Sequence, residues 1–319
     1  MATNNFTSSV LKGGMDVEAF TTSEDCIKNT GLNWTVRKEA LLAHLTNGKD
    51  VPVYRRFVIV RDDNDFVLGV VRKNFQAVQN IDGFGLVDAI RQKEGDTIFQ
   101  RAGEISLGER IYIVAKLPGE IRIKDSSDIV DKNFMMFNAH TGMASLTMGF
   151  TPTFRTTGAV MSLGRRDITD RFSVRHTRGM DARLKEATKV LKIADNYFAS
   201  LGQMFDALAD VTINSDKLTE ILDRAMPFPA ATKEGEEPPV RIKNIREKVQ
   251  SLYEDTKVDP KLVGTGWALY QAFAEFSDFH KSFKDSRGDG TSQDDNRLVS
   301  VFEGDSYDLK NKVADIILS

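Results

Sequence analysis

Apolar and polar residues change rhythm once along this chain, near residue 180. Before it, short β-branched and aromatic runs alternate with turn-forming text; after it, apolar residues recur every three or four positions. "VYRRFVIVRDDNDFVLGVVRKNFQAV" holds two β-rich runs around "RDDND" and predicts a hairpin, with strand-like text already beginning at "NWTVRKEALLA". "NIDGFGLVDAIRQKEG" sets Phe84, Val87, Ala89 and Ile90 near helical spacing and stops at Gly95, which predicts a short inserted helix. Strands follow at "TIFQRAGEISL" and "GERIYIVAKLP", and "GEIRIKD" and "NFMMFNAHTG" extend the sheet. "MASLTMGFTPTFR" adds one more, interrupted at Pro152 because proline has no N–H for a ladder.

Beyond Gly179, Leu184, Ala187, Leu191, Ala194, Phe198, Leu201, Phe205 and Leu208 share one stripe of a long amphipathic helix. "NSDKLTEILDRAM", "VRIKNIREKVQSLYED" and "YDLKNKVADIILS" predict three more helices. "DPKLVGTGWALYQAFAEFSDFHKSF" predicts another, with Asp259 as cap and Pro260 at its first position. Its series Trp267, Tyr270, Phe273, Phe276, Phe279, Phe283 reads as core, and "SRGDGTSQDDNR" as a polar loop. The fold class is therefore α+β: a bent antiparallel sheet with one inserted helix, then a helical second half. Four segments are expected: a flexible arm over 1–28, an α+β core with the long helix over 29–228, a linker over 229–239 and a helical region over 240–319.

Composition narrows the class. The 319 residues are 41% hydrophobic and 28% charged, as in soluble globular proteins, and no apolar run approaches the length of a membrane span. The first twenty residues lack the basic flank and apolar core of a secretory signal. The single cysteine, Cys26, allows neither an internal disulfide nor a cysteine-based zinc site, which points to a reducing cytoplasm. The net charge of −3 conceals an asymmetry: residues 1–180 carry 24 Lys+Arg against 21 Asp+Glu, residues 181–319 carry 19 against 25.

Positive charge peaks in "GRRDITDRFSVRHTRG". Arginine suits phosphate because its planar fork donates two parallel hydrogen bonds and never loses its charge. Strand alternation would put Arg171, Ser173 and Arg175 on one face and Phe172, Val174 and His176 on the other, with arginines repeating at roughly 6–7 Å. That is close to the phosphate repeat of an extended single strand. The candidate nucleic-acid contacts are thus Arg165, Arg166, Arg171, Arg175 and Arg178 on phosphates, helped by Arg155 and Lys73, with Phe75 or His176 to stack. Arg72 would join Lys73 if the sheet brings them near. The competing interpretation is a solvated strand whose arginines pair with Asp167, Asp170 and Asp181.

No catalytic signature competes. "DGFGLVDAI" lacks the third glycine of a phosphate cradle, "SRGDGTSQDD" lacks the closing glutamate of a calcium loop, and neither a GxSxG elbow nor an HxxxH or HExxH pair is present. His140 in "FNAHTGM" is the one enzyme-like residue: either a general base or phosphate donor, or, with Asn138, a side chain bonding the loop at a hairpin end. No catalytic residue, metal or cofactor is assigned.

Six ordered blocks, "LGVVRKNFQAVQN", "GERIYIVAKLPG", "MMFNAHTGMAS", "FSVRHTRGMDARLKEA", "GTGWALYQAFAEFSDFH" and "FEGDSYDLKNKVADIIL", resemble the phage/plasmid-like family called domain of unknown function 932, from about residue 30 to the C-terminus. After "TP" that family tends to carry a Cys-Gln-Asn-Thr run, whereas this chain reads "TFRTTGAV" around Thr157, Gly158 and Ala159, so no role tied to those side chains transfers. The resemblance implies a bacteriophage or mobile-element origin and life in the cytoplasm of an infected bacterium, and supplies no activity. The element order also resembles, in architecture alone, the single-strand annealing recombinases, which implies self-association around a basic groove. The expected function is a non-enzymatic nucleic-acid-binding protein of phage DNA metabolism, preferring single-stranded DNA and promoting annealing, as a homo-oligomer without membrane contact. The alternative is a phage assembly or host-takeover protein whose ligand is a protein partner.

Overall fold

Strands β6 (Arg110–Arg122) and β7 (Ile129–Ala139) dictate the architecture, because over 111–115 and 133–139 neither leaves a face for water. Alternation divides their side chains between two apolar clusters: Ile111, Ile113, Ala115, Phe134 and Met136 enter the larger, Tyr112, Val114, Met135 and Phe137 the smaller. Both faces must be covered, which is why these strands read as nearly continuous apolar runs. The computed structural model describes residues 14–142, 146–161, 171–173, 180–229, 239–284 and 291–319.

The main sheet is antiparallel, in the order β1 (Met15–Asp16), β5 (Ile98–Ile105), β6, β7, β8 (Leu146–Phe150), β10 (Arg171–Ser173), with β9 (Thr153–Phe154) pairing β7 beyond the break at Pro152. A second sheet holds β2 (Val36–His44), β3 (Asp50–Arg61) and β4 (Val67–Arg72). The one sheet expected from the sequence is thus two, while the β3–β4 hairpin stands where "RDDND" put it. The sheets meet closely: a Cβ on Gly69 of β4 would lie 2.7 Å from the Thr141 Cα, so only glycine fits.

One face of the main sheet is packed by α2 (Asn80–Lys93), through Phe84, Val87 and Ile90, and by α3 (Met180–Asp210). Along α3 the buried residues include Ala187, Val190, Ala194, Tyr197, Phe198, Leu201, Met204, Phe205 and Leu208, so the stripe rotates onto Val190 in place of Leu191. Helix α6 (Gly266–Glu275) drives Trp267 against Phe154 and Phe205, with ring centres 5.0 and 5.1 Å away, and the aromatic series through Phe276 is core as expected. Helices α4 (Ser215–Ala225) and α5 (Val240–Glu254) complete this side. The other face is closed by α7 (Gln293–Glu303), which contributes Leu298, Val301 and Phe302.

Three expectations are corrected. From residue 14 the segment taken as a flexible arm is docked: β1 pairs with β5, and α1 (Ser23–Asn29), capped by Thr22, buries Cys26 and Ile27. The polar loop after Phe283 contains the start of α7, because Ser292 and Asp295 form a reciprocal capping box there. The helix expected from Asp259 is split: Asp259 and Pro260 begin only a single 3₁₀ turn, Gly264 turns at φ +79°, and α6 starts afresh under a Thr265 cap. Most of the expected linker, 230–238, falls outside the described residues. No helix among the described residues is long and apolar enough to cross a membrane.

The closing helix α8 (Asp305–Leu318) is held by a buried ion pair. Lys310 Nζ donates to Asp278 Oδ1 at 3.0 Å and to the Val160 carbonyl at 2.7 Å, while the Val160 N–H donates to Asp278 Oδ2 at 2.8 Å. Asp278 sits in the π-helical turn Phe276–His280, and both charged side chains are 0% exposed. Burial pushes the carboxyl up and the ammonium down in pKa, and their attraction opposes both shifts. Removing one partner leaves a bare charge in a dry interior. Lys310→Met is expected to cost about 3–5 kcal/mol in chemical denaturation, and adding Asp278→Asn to recover part of it.

Candidate nucleic-acid interface

The second sheet carries a bulge. Ala40 of β2 faces Phe57 of β3 and Leu42 faces Pro52, so Leu41 alone stands against Val53–Arg56, and that stretch of β3 bows outward. Pro52 cannot donate to the ladder at the start of the bow. Arg55 is held at φ +56°, in the left-handed region that costs a side-chain-bearing residue roughly 1–2 kcal/mol. Tyr54 stands 80% exposed, and the Arg55 guanidinium lies 5.1 Å from its ring centre.

Across the ladder, Arg56 pairs directly with Arg72 of β4, which ends in a turn carrying Lys73 and Asn74. Lys38 fixes that turn from below, donating from Nζ to the Lys73 carbonyl and, at 2.9 Å, to the Phe75 carbonyl. The result is an open cleft of about 590 Å³ lined by Tyr54, Arg55, Arg56, Arg72, Lys73 and Asn74.

Charge is sorted along this sheet. At its turn end the carboxylates of "RDDND" are used: Arg37 pairs with Asp62 and Asp65 at 3.0 and 2.5 Å, and Arg61 with Asp63 at 2.7 Å and Glu104 at 3.2 Å. At the cleft end, Arg55, Arg56, Arg72 and Lys73 have no carboxylate partner among the described residues. Like charges directly opposed, as Arg56 and Arg72 are, destabilise a strand pair. An anion laid in the cleft would relieve that repulsion, gaining charge-assisted hydrogen bonds from guanidinium forks.

Of the residues expected from the sequence, Lys73 is in the cleft, with Arg72 beside it. Phe75 is half-buried, packed on the core, and does not line the cleft. Arg155 is engaged internally, with Nη2 at 2.6 Å from Asp131 and 3.1 Å from Glu120, bonds that hold its pKa up and bring Asp131's down. Arg165, Arg166, Arg175, His176 and Arg178 lie outside the described residues, and for Arg171 only the backbone is described, opposite Gly149 in β10. Tyr54, Arg55 and Arg56 went unnoticed in the sequence, although a signal was there: folding the hairpin about Asn64 sets Arg56 against Arg72 and Arg55 against Lys73.

His140 is a core residue. It is fully buried, its Nε2 is 2.9 Å from Asn80 Oδ1, and its ring lies 5.2 Å from that of Trp34. Because Asn80 Nδ2 donates to the Leu32 and Trp34 carbonyls, the amide oxygen is the acceptor and the histidine the donor. Asn138 likewise donates to the Val78 carbonyl, so the two side chains tie the end of β7 to the chain entering α2, and not to the backbone of their own hairpin loop as one of the two sequence readings held. Burial, with the Arg61 charge nearby, pushes the His140 pKa down to about 4. The unfolded chain binds the proton first, so this stability is complete above about pH 6.5 and is lost as pH falls toward 4. His140→Gln is expected to flatten the pH dependence of the thermal midpoint across that window.

Residues 67–301, from the first residue of β4 into α7, match the family model described as Domain of unknown function (DUF932). Arg72, Lys73 and Asn74 fall inside the matched span, and Tyr54, Arg55 and Arg56 precede it. Neither the curated proteins nor the solved structures contain a match to this chain. The family model covers well over half of the residues and agrees with the ordered motifs noted above: the chain belongs to the family Domain of unknown function (DUF932).

Proposed function

We propose that this protein binds single-stranded nucleic acid through the cleft on the β3–β4 hairpin. The observation that carries this is the gathering of Arg55, Arg56, Arg72 and Lys73, with no carboxylate partner among the described residues, around a tyrosine that is 80% exposed. Phosphates would lie along the cations, and an unpaired base would stack on Tyr54, a contact worth about 1–3 kcal/mol per base. Strand alternation sets Val58 and Val70 on the solvent side with Arg56 and Arg72, giving sugars and base edges an apolar strip between the charges. Such a surface holds backbone and ring faces rather than reading base edges, so it is sequence-tolerant. Phage DNA metabolism, with strand annealing, is the setting we propose, supported by the phage-like motifs of the sequence.

The test is fluorescence anisotropy with a labelled oligothymidylate, in single- and double-stranded form, across a salt series. Arg55→Ala with Arg56→Ala should lower the slope of log affinity against log salt by about 2. Tyr54→Ala should weaken the single strand and spare the duplex. No binding at the lowest salt would end the proposal. Arg55→Gly separates role from scaffold: relieving the left-handed backbone raises the melting temperature while affinity falls.

A further inference from the structure

The helical half holds its own concentration of positive charge, against the acidic balance of residues 181–319. Along α5, Arg241, Asn244, Ile245 and Lys248 recur at helical spacing and form one wall of an open cleft of about 650 Å³, whose other wall is Phe276, His280, Lys281, Ser282 and Lys284. The cleft continues past Lys281 and Lys284 into a second hollow of about 460 Å³ that reaches Ser300 of α7 and Asp305 of α8. Four cations, Arg241, Lys248, Lys281 and Lys284, therefore line a continuous groove, and among the described lining residues the one carboxylate is Asp305, 3.7 Å from Lys281 and itself 93% exposed.

Within the same helix the pairing is selective. Arg246 is bonded to Asp223 at 2.8 Å and to the Met226 carbonyl, and Lys243 is paired along the helix with Glu247, so the cations that point away from the groove are compensated. Arg241, Lys248 and Lys284 face the groove, are exposed, and have no acidic partner among the described residues. Phe283, which lines the second hollow, already has two of the protein's own cations beside its ring, Lys281 at 5.5 Å and Arg297 at 5.1 Å from its centre. Four uncompensated or weakly compensated cations over a groove too long for one small ion fit a run of phosphates.

We propose that this groove is a second anion site, one that grips a phosphate chain by charge alone, without stacking. It does not depend on the hairpin cleft and would stand if that assignment failed. Its ligand could be a nucleic-acid backbone or a free oligophosphate, and the two arms of the test separate these. Isothermal titration of the full chain at low salt uses an eight-residue oligothymidylate in one arm and inorganic tripolyphosphate in the other. The variants are Arg241→Glu with Lys284→Glu, both exposed and therefore compatible with folding, and Arg55→Glu with Arg56→Glu. Circular dichroism confirms that each variant keeps its fold.

The expected result is one equivalent of phosphate chain lost in Arg241→Glu/Lys284→Glu and retained in Arg55→Glu/Arg56→Glu, with the salt slope of that equivalent falling by about 2 when Arg241 and Lys284 are instead made alanine. Loss in the oligothymidylate arm identifies a backbone; loss confined to the tripolyphosphate arm identifies a free oligophosphate. If neither probe binds, or if binding is the same with and without the α5 substitutions, the proposal is overturned. A hairpin cleft that fails is told apart by the total stoichiometry: Arg55→Glu/Arg56→Glu then loses no equivalent at all, while the groove's equivalent persists.

Discussion

A sheet strand that is apolar on both sides cannot sit at a surface, and everything else in this fold follows from β6 and β7 being such strands. One face takes α2 and α3, whose sequence neighbourhoods lie close to the strands they cover. The other takes α7, which comes from residues more than a hundred and fifty positions later than the strands it packs on. The main core accordingly runs from Val17 to Ile317, and the β-rich and helical stretches share one interior. Closing such a structure means bringing the chain's end back onto its middle, and the Lys310–Asp278–Val160 lock does this with polar specificity that apolar packing alone lacks.

Much of this was legible. Periodicity found the strands of the main sheet, the hairpin, α2 and the long α3, because each has enough residues to show its repeat. What stayed hidden was short or capped in polar text. Helix α7 begins inside "SRGDGTSQDDNR", where the capping box is written in the same Ser and Asp residues that signal a loop. The arm at 14–28 looked unstructured because α1 is only two turns long and its stability comes from outside, with the Ser23 N–H bonded to Asp88 of α2. The split near Gly264 is invisible to a periodicity argument that counts aromatics on both sides of it.

The interface was harder still, for an electrostatic reason. Counting charges along the sequence ranks Arg155 beside its neighbours, yet Asp131 and Glu120, more than twenty residues away, neutralise it. What distinguishes a binding cation from a structural one is whether a carboxylate arrives by folding, and that is a property of register. In the hairpin the turn collects Asp62, Asp63 and Asp65, while Arg55, Arg56, Arg72 and Lys73 meet no carboxylate among the described residues, so a segment with nearly balanced composition becomes polarised in charge. The same sorting repeats on α5, where spacing around the helix decides which cations meet acids.

Cys26, buried in α1 with its thiol pushed up to about 12 by burial and by Asp88 and Asp25, carries essentially no thiolate at neutral pH. Oxidants and alkylating reagents therefore find nothing to attack in the native molecule. A fluorophore or spin label placed through an engineered surface cysteine would attach at one position without first deleting the native one. Conversely, any labelling of the wild-type thiol times the transient release of α1 from the body.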